Sequence, residues 1–400
     1  MVNWDLVSLL IFYVLLLLIY FRFKEKFTTQ GLFVMYRTTF GLKQMDRWAQ
    51  RAPRVFHLLS SLGVVVGFVG MVFILVFLIK ETIKLLTVPG TAPALAPVLP
   101  GIEIAGAPTL SFWHWIIAIF VVAVVHEFSH GLVARTSGIP IKSSGFAFLG
   151  PLLAAFVEPD ENELKKKSAW DQLKVFAAGP FSNLLFGVGT FLVLLFIIAP
   201  VLGGIYEGQG VIVHETIDGY PMNLTGIAVP FTITEINGQE IKTFDNFLDA
   251  TAGLTPGETV DVGTDQGAYT IISVANPENE SKAFFGITGF EQKLGMKESY
   301  QWLEPADGMF MWARLLLIWM FLIHIGVGLF NLLPLGPVDG GRMFYTFALS
   351  VLKTEKRAKN ALISASVLCL ALIIINMLPW INKLFLWLSG LFSLLIAILG

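Results

Sequence analysis

VVAVVHEFSHGLVA occupies residues 121–134. It is an apolar stretch interrupted by three ionisable side chains, His126, Glu127 and His130. On a helix, positions i and i+4 share a face, so His126 and His130 can reach one metal ion together. Glu127 then lies about 100° round the helix, beside the ion rather than on it. That is where a general base for a metal-bound water belongs. Neutral imidazole is a favoured zinc ligand. The five-residue pattern has only three fixed positions and recurs by chance. Its surroundings sharpen it, because ionisable side chains inside a membrane helix are costly and are by default functional. The bland alternative is a buried polar cluster that bonds neighbouring helices.

The membrane setting follows from composition. Hydrophobic residues make up 55% of the 400 and charged residues only 14%. Mean hydropathy is +0.72. Soluble globular domains are about a quarter charged. Long uncharged runs assign the excess to lipid, since about 20 apolar residues span a bilayer. The net charge of -2 gives no case for nucleic-acid binding. The lone cysteine, Cys369, excludes an internal disulfide and a cysteine zinc site.

Outward from the motif, spans are expected at about 6–21, 57–79, 111–133, 175–200, 309–333 and 360–379. The run 383–400 reads either as a seventh span or as an interfacial helix. Eight cations between Arg22 and Arg54 face only Glu25 and Asp46. The positive-inside rule makes that loop cytoplasmic and the N-terminus external. Lys165–Lys167 and Lys353–Lys359 mark further cytoplasmic turns. The Pro- and Gly-rich linker TVPGTAPALAPVLPG (87–101) falls outside. GFAFLGPLLAAFV (145–157) is apolar but broken by Gly and Pro, and reads as a re-entrant hairpin covered by protein. Residues 205–300 alternate strand-like runs such as VIVH, ITEINGQEI and AYTIISVA with turns. They form an external soluble domain, with FDNFLDA as a short helix.

Two histidines need a third protein ligand to make a catalytic zinc site. Asp339 leads, in NLLPLGPVDGGRM (331–343) at the inner end of the fifth span. PLGPVDGGR cannot be regular helix, with two prolines and three glycines in nine residues. Alone, Pro-Val-Asp-Gly is good turn chemistry. Beside HEFSH, the ligand reading is favoured. Glu158, Asp160 and Asp171 are the competing carboxylates, in a charged stretch that reads as a solvated loop.

HEFSH, AAGPFSN (177–183) and NLLPLGPVDG (331–340), in this order, resemble the site-2 protease family of intramembrane zinc metalloproteases. The resemblance covers roughly residues 110–345. It implies one zinc ion on His126, His130 and Asp339, with Glu127 as base. It also implies that Asn183, Asn331 and Pro334 lie near the site and help hold substrate or orient the reaction. Transmembrane proteins are the implied substrates, cleaved within or near their spans. The two extra N-terminal spans depart from the family pattern. The insert resembles a PDZ domain, through ITEINGQEI and DGYPMNLTGI, which implies a peptide ligand; a structural spacer is the alternative. The fold class expected is a multi-span α-helical membrane protein of six or seven spans with an inserted small α+β PDZ-like domain. The divisions are 1–110, 111–204, 205–300 and 301–400. The rival functional reading is an inactive or transporter-like membrane relative that binds peptide or metal without cleaving.

Overall fold

The computed structural model describes residues 4–399 except 31–32, 89–90, 103, 105–106, 150–151 and 278. The chain divides into two compact units, Met1–Leu194 with Trp312–Gly400, and Leu195–Met311. Six helices among the described residues are long and apolar enough to cross a membrane.

The first unit opens with α1 (Trp4–Phe23). It is followed by β1 (Phe27–Gln30), β2 (Phe33–Thr38) and α2 (Leu42–Arg51). The basic segment expected to be a plain loop therefore holds a hairpin and a helix. FTTQ and FVMYRT are short runs of β-branched and aromatic residues, which fit a pleated surface. Helix α3 (Pro53–Thr87) is crossed closely by neighbours at three glycines. A Cβ on Gly63 would lie 3.2 Å from Phe181, on Gly67 2.7 Å from Met343, and on Gly70 2.6 Å from Leu332. Small residues at such points let helices approach in lipid.

Helix α4 (Phe112–Thr136) carries the HEFSH motif. Asp5 of α1 accepts from the Phe112 backbone N–H at 3.1 Å. A carboxylate there suits the positive end of a helix dipole. The apolar segment after α4 forms β3 (Ile141–Leu149) and β4 (Leu152–Pro159). The expected hairpin is thus built of strands; its tip, 150–151, lies outside the described residues. Strand order is β1-β2-β3-β4. The N-terminal hairpin covers the far edge of β3 and leaves β4 at the sheet's end.

After α5 (Glu161–Lys166) comes α6 (Ala169–Val193), which contains Pro180 in its interior. Leu42, Met45, Val64, Ala177, Leu332 and Met343 belong to the core that joins these elements.

The second unit begins as the α6 helix continues through a π-helical turn into α7 (Ala199–Ile205). It then builds an α+β fold. The elements are β5 (Tyr206–Thr216), α8 (Pro221–Leu224), β6 (Phe231–Ile236), β7 (Gln239–Glu240) and α9 (Phe244–Ala252). They continue with β8 (Thr259–Thr264), β9 (Gly267–Ile272), β10 (Val274–Asn276), β11 (Asn279–Phe284) and β12 (Ile287–Met296). The main sheet runs β12-β5-β6-β8-β9, with β7 beside β6. Its core holds Val211, Val213, Phe231, Ile233, Val260 and Val262. The helix expected at FDNFLDA is α9, opened by a capping box from Thr243 and Asn246.

Three helices complete the chain: α10 (Asp307–Asn331), α11 (Asp339–Leu352) and α12 (Glu355–Leu399). The stretch PLGPVDGGR is irregular only as far as Val338, and Asp339 starts α11. Gly340 and Gly341 serve close approach rather than breakage. A Cβ on Gly340 would lie 2.3 Å from the Leu333 carbonyl oxygen. The C-terminal apolar run is not a separate element. It continues α12 through Pro379 as one helix of 45 residues.

Candidate metal centre

Helix α4 presents His126 and His130 one turn apart, as their i, i+4 spacing requires. The irregular segment after α10 returns the chain so that Asp339, at the head of α11, meets them. Asp339 Oδ2 lies 3.0 Å from His126 Nε2 and 3.2 Å from His130 Nε2. The two Nε2 atoms are 3.1 Å apart. Zinc bonds of about 2.0–2.2 Å in tetrahedral array place ligand atoms roughly 3.3 Å from one another. The three atoms therefore stand at nearly the separations one such ion needs, and they are the group of described residues that can hold a metal.

The far side of each ring supports this geometry. His130 Nδ1 donates to the Val175 carbonyl at 2.7 Å. A carbonyl only accepts, so the proton sits on Nδ1 and the Nε2 lone pair is free. Pro180 removes the donor that would bond the next carbonyl, at Phe176. His126 Nδ1 meets the buried Asn183 amide, with Nδ2 at 3.0 Å. In this rotamer Asn183 Oδ1 is buried and unpaired. Turning the amide over puts Oδ1 opposite Nδ1–H, the arrangement that metal-binding histidines use.

Space is left for the cluster by a missing side chain. A Cβ on Gly179 would lie 2.4 Å from His130 Nε2 and 2.6 Å from His126 Nε2. Alanine at this position would occupy the room a metal needs. Burial works to raise the Asp339 carboxyl, but the adjacent His130 and His126 rings hold it well below the ordinary carboxylate range.

Glu127 stands outside the ligand set. Its Oε2 accepts from the Val157 backbone N–H of β4 at 2.9 Å. A cavity of about 310 Å³ opens beside the cluster, lined by His126, Glu127, His130, Asn331, Asp339 and Arg342 among others.

The remaining sequence candidates separate. Asn331 lines the cavity, its Nδ2 donating to the Val327 carbonyl. Asn183 lies behind His126, its Nδ2 3.0 Å from His126 Nδ1. Pro334 is buried in the turn before α11 and is not among the cavity's lining residues, whereas Pro337 is. Glu158 accepts from Ser143 and pairs with Arg37; Asp160 caps α5 and pairs with Lys142; Asp171 bonds Ser168 and Lys174.

The sequence profile of peptidase family M50 matches residues 114–375, more than half of the chain. The chain belongs to peptidase family M50, the site-2 protease family. With six apolar helices of spanning length among the described residues, this M50 member is an integral membrane protein. It is 26% identical over 342 residues to an uncharacterised protein of Methanocaldococcus jannaschii, covering 84% of this chain and 82% of that one. It is 26% identical over 294 residues to the zinc metalloprotease RasP of Bacillus licheniformis, covering 62% of this chain and 68% of that one. A PDZ domain of an SdrC-like protein from Listeria monocytogenes is similar in structure to a small part. The overlap is 20% of this chain and 86% of that one, with 26% identity and a TM-score of 0.18.

Four participants in the site of this M50 chain escape a reading of the sequence. Gly179 stands inside AAGPFSN, and nothing in its neighbours foretells what its Cβ would strike. Val157 and Val175 act through backbone groups, which any residue type supplies. Arg342 closes the quoted PLGPVDGGR segment, three residues after Asp339 on the same helix face. Its guanidinium carbon lies 5.7 Å from the centre of the Phe176 ring. That single-turn spacing was the available signal.

Proposed function

We propose that this M50 member is an intramembrane zinc endopeptidase that hydrolyses peptide bonds within or near transmembrane segments of other proteins. The observation that carries this reading is the convergence of His126, His130 and Asp339 with Glu127 alongside, on a polar cavity framed by apolar helices. A zinc ion held there would act as a Lewis acid on the scissile carbonyl and lower the pKa of a bound water.

The chain's own residues divide the work. Glu127 takes the water's proton and returns it to the leaving nitrogen. The Val157 N–H holds its carboxylate in place. Val175 and Asn183 fix the two imidazole rings. Apart from the histidines, Arg342 is the one cation among the lining residues. Stacked on Phe176, it offers a positive charge to oxygen that becomes anionic during the reaction. Asn331 offers an amide to the substrate backbone.

A helical substrate hides its peptide bonds and must unwind. Strand β4 pairs only with β3 among the described strands, so it stands at the end of the sheet. Side chains and backbone groups alternate along a strand with period two. The Val157 N–H points to Glu127, so Ala155 presents its N–H on that same edge. An unwound substrate segment added there lies alongside the base. In the membrane, the 22–54 segment lies on the cytoplasmic side with the cavity, and the 205–300 domain lies outside. That domain takes a peptide ligand and screens substrates, since every residue assigned to chemistry lies elsewhere in the sequence.

The test uses purified full-length protein and a reporter protein with one transmembrane segment. Wild type is expected to cut it. Glu127→Gln is expected to keep zinc and lose cleavage. Zinc binding with no cleavage of any helix-weakened reporter by wild type would favour the rival, a metal-binding relative without activity.

A further inference from the structure

Helix α2 carries a feature that peptide hydrolysis does not use. Leu42, Met45 and Ala49 lie on one face and are buried. Lys43, Arg47 and Arg51 are spaced four apart and stack along the opposite face, where all three are exposed. Arg54, also exposed, extends the row into the first turn of α3. Among the described residues none of these four cations pairs with a carboxylate. The nearest candidate on the helix, Asp46, is held by Arg135 at 3.0 Å. Two exposed aromatics flank the row, Phe40 at 84% and Trp48 at 48% of full exposure.

The helix sits between two candidate spans, α1 and α3. It is separated from α3 only by Ala52. A basic, aromatic-flanked surface at a membrane boundary is complementary to anionic lipid headgroups. We propose that the Lys43–Arg47–Arg51–Arg54 face binds the headgroups of anionic phospholipids.

Orientation signalling alone does not account for the pattern. The positive-inside rule counts cations in a loop and is indifferent to their arrangement. Here they occupy one side of an ordered helix whose other side is packed against the helix that carries HEFSH. The Met45 sulfur lies 2.6 Å from where a Cβ on Gly131 would be, beside His130. The Trp48 and Phe128 rings meet edge-on at 5.2 Å. A bound headgroup would therefore brace the segment that carries HEFSH. The binding itself does not depend on the protease reading.

The experiment is native mass spectrometry of the full-length detergent-solubilised protein, offered equal amounts of phosphatidylglycerol and phosphatidylcholine. Wild type is expected to retain phosphatidylglycerol preferentially. The Lys43→Gln/Arg47→Gln/Arg51→Gln/Arg54→Gln variant is expected to lose at least fivefold of that preference, about what one basic residue near an anionic surface contributes. The Lys43→Arg/Arg47→Lys/Arg51→Lys/Arg54→Lys variant is expected to keep it, which controls for folding. Zinc content, measured in parallel, should stay at wild-type level in both. Inorganic phosphate in large excess should not displace the lipid. A glutamine variant with wild-type lipid preference overturns the proposal, as does displacement by free phosphate. Equal loss in the charge-preserving variant would also overturn it, because charge would then not be the determinant.

Discussion

The Val157 backbone N–H donates to Oε2 of Glu127 across 2.9 Å. One hydrogen bond thus ties the proposed base on α4 to the outer edge of β4. Under the proposed function, two alternate positions of one strand have different duties. The N–H at 157 holds the base, and the N–H two residues earlier, at 155, meets a guest strand.

Proline substitution separates these duties, since it removes a backbone donor and is tolerated on a strand's unpaired edge. Val157→Pro is expected to lower kcat at least tenfold, with KM and zinc content little changed. Ala155→Pro is expected to raise KM with kcat nearly intact. Steady-state cleavage of a transmembrane reporter reads both. The same kinetic change in the two variants would refute the division.

Gly179 gives a sharp steric test. Alanine is the better helix former by about 1 kcal/mol, so propensity alone favours the substitution. The Cβ would nevertheless stand 2.4 Å from His130 Nε2. Gly179→Ala is expected to lose most bound zinc by elemental analysis. Gly189→Ala, ten residues on in the same helix and with nothing within 4 Å of its Cβ, should retain it. Full zinc in Gly179→Ala would mean that the metal lies elsewhere.

Asn183 is expected to act on the metal only through His126. Removing a hydrogen-bond partner behind a ligating histidine costs about 10–100-fold in metal affinity. Asn183→Ala should show that loss in a zinc competition titration. Asn183→Asp, whose carboxylate can accept from Nδ1–H, should restore much of it. Equal losses in the two variants would point to packing rather than to the hydrogen bond.

What the sequence revealed and what it hid divide along physical lines. The i, i+4 histidines and the long apolar runs are local, so the helix that brings the two histidines together and the apolar helices of spanning length could be read directly. Asp339 could be read only in combination, because its own neighbours spell a turn. The hairpin β1–β2 was masked by cations that speak of topology rather than of strand pairing. Its pairing with β3 joins residues more than 100 apart, such as Tyr36 and Phe146. Gly179 and the carbonyl of Val175 were hidden because their roles are defined by a neighbour across the bundle. The glycines in PLGPVDGGR suggested a broken backbone. Gly340 instead lets α11 start against the Leu332–Leu333 backbone, and Gly341 lets it pass the Leu335 carbonyl.

The assignment of the third ligand gives the most exposed prediction. Four carboxylates compete for it: Asp339, Glu158, Asp160 and Asp171. Three of them already have other partners. Asp160 Oδ1 accepts from the Asn162 and Glu163 N–H groups, and its carboxyl is held below the usual range by those bonds and by Lys142. Asp171 accepts from the Ser168 hydroxyl and faces Lys174. Glu158 accepts from the Ser143 hydroxyl at 2.8 Å. Alanine at any of these removes surface or capping bonds, of which a helix cap is worth about 1 kcal/mol. Zinc content should therefore stay near wild type. Asp339 has no such alternative. Its Oδ2 has both His126 Nε2 and His130 Nε2 within 3.2 Å, and the positive charge of an ion between them would satisfy the buried carboxylate. Asp339→Ala is expected to abolish cleavage and to weaken zinc binding strongly. Asp339→Asn, which keeps the shape but gives up the charge, should recover little of either. Zinc titration of all five variants decides the matter. If Asp339→Ala binds zinc like wild type while one of the other three alanine variants loses it, the centre as assigned is wrong.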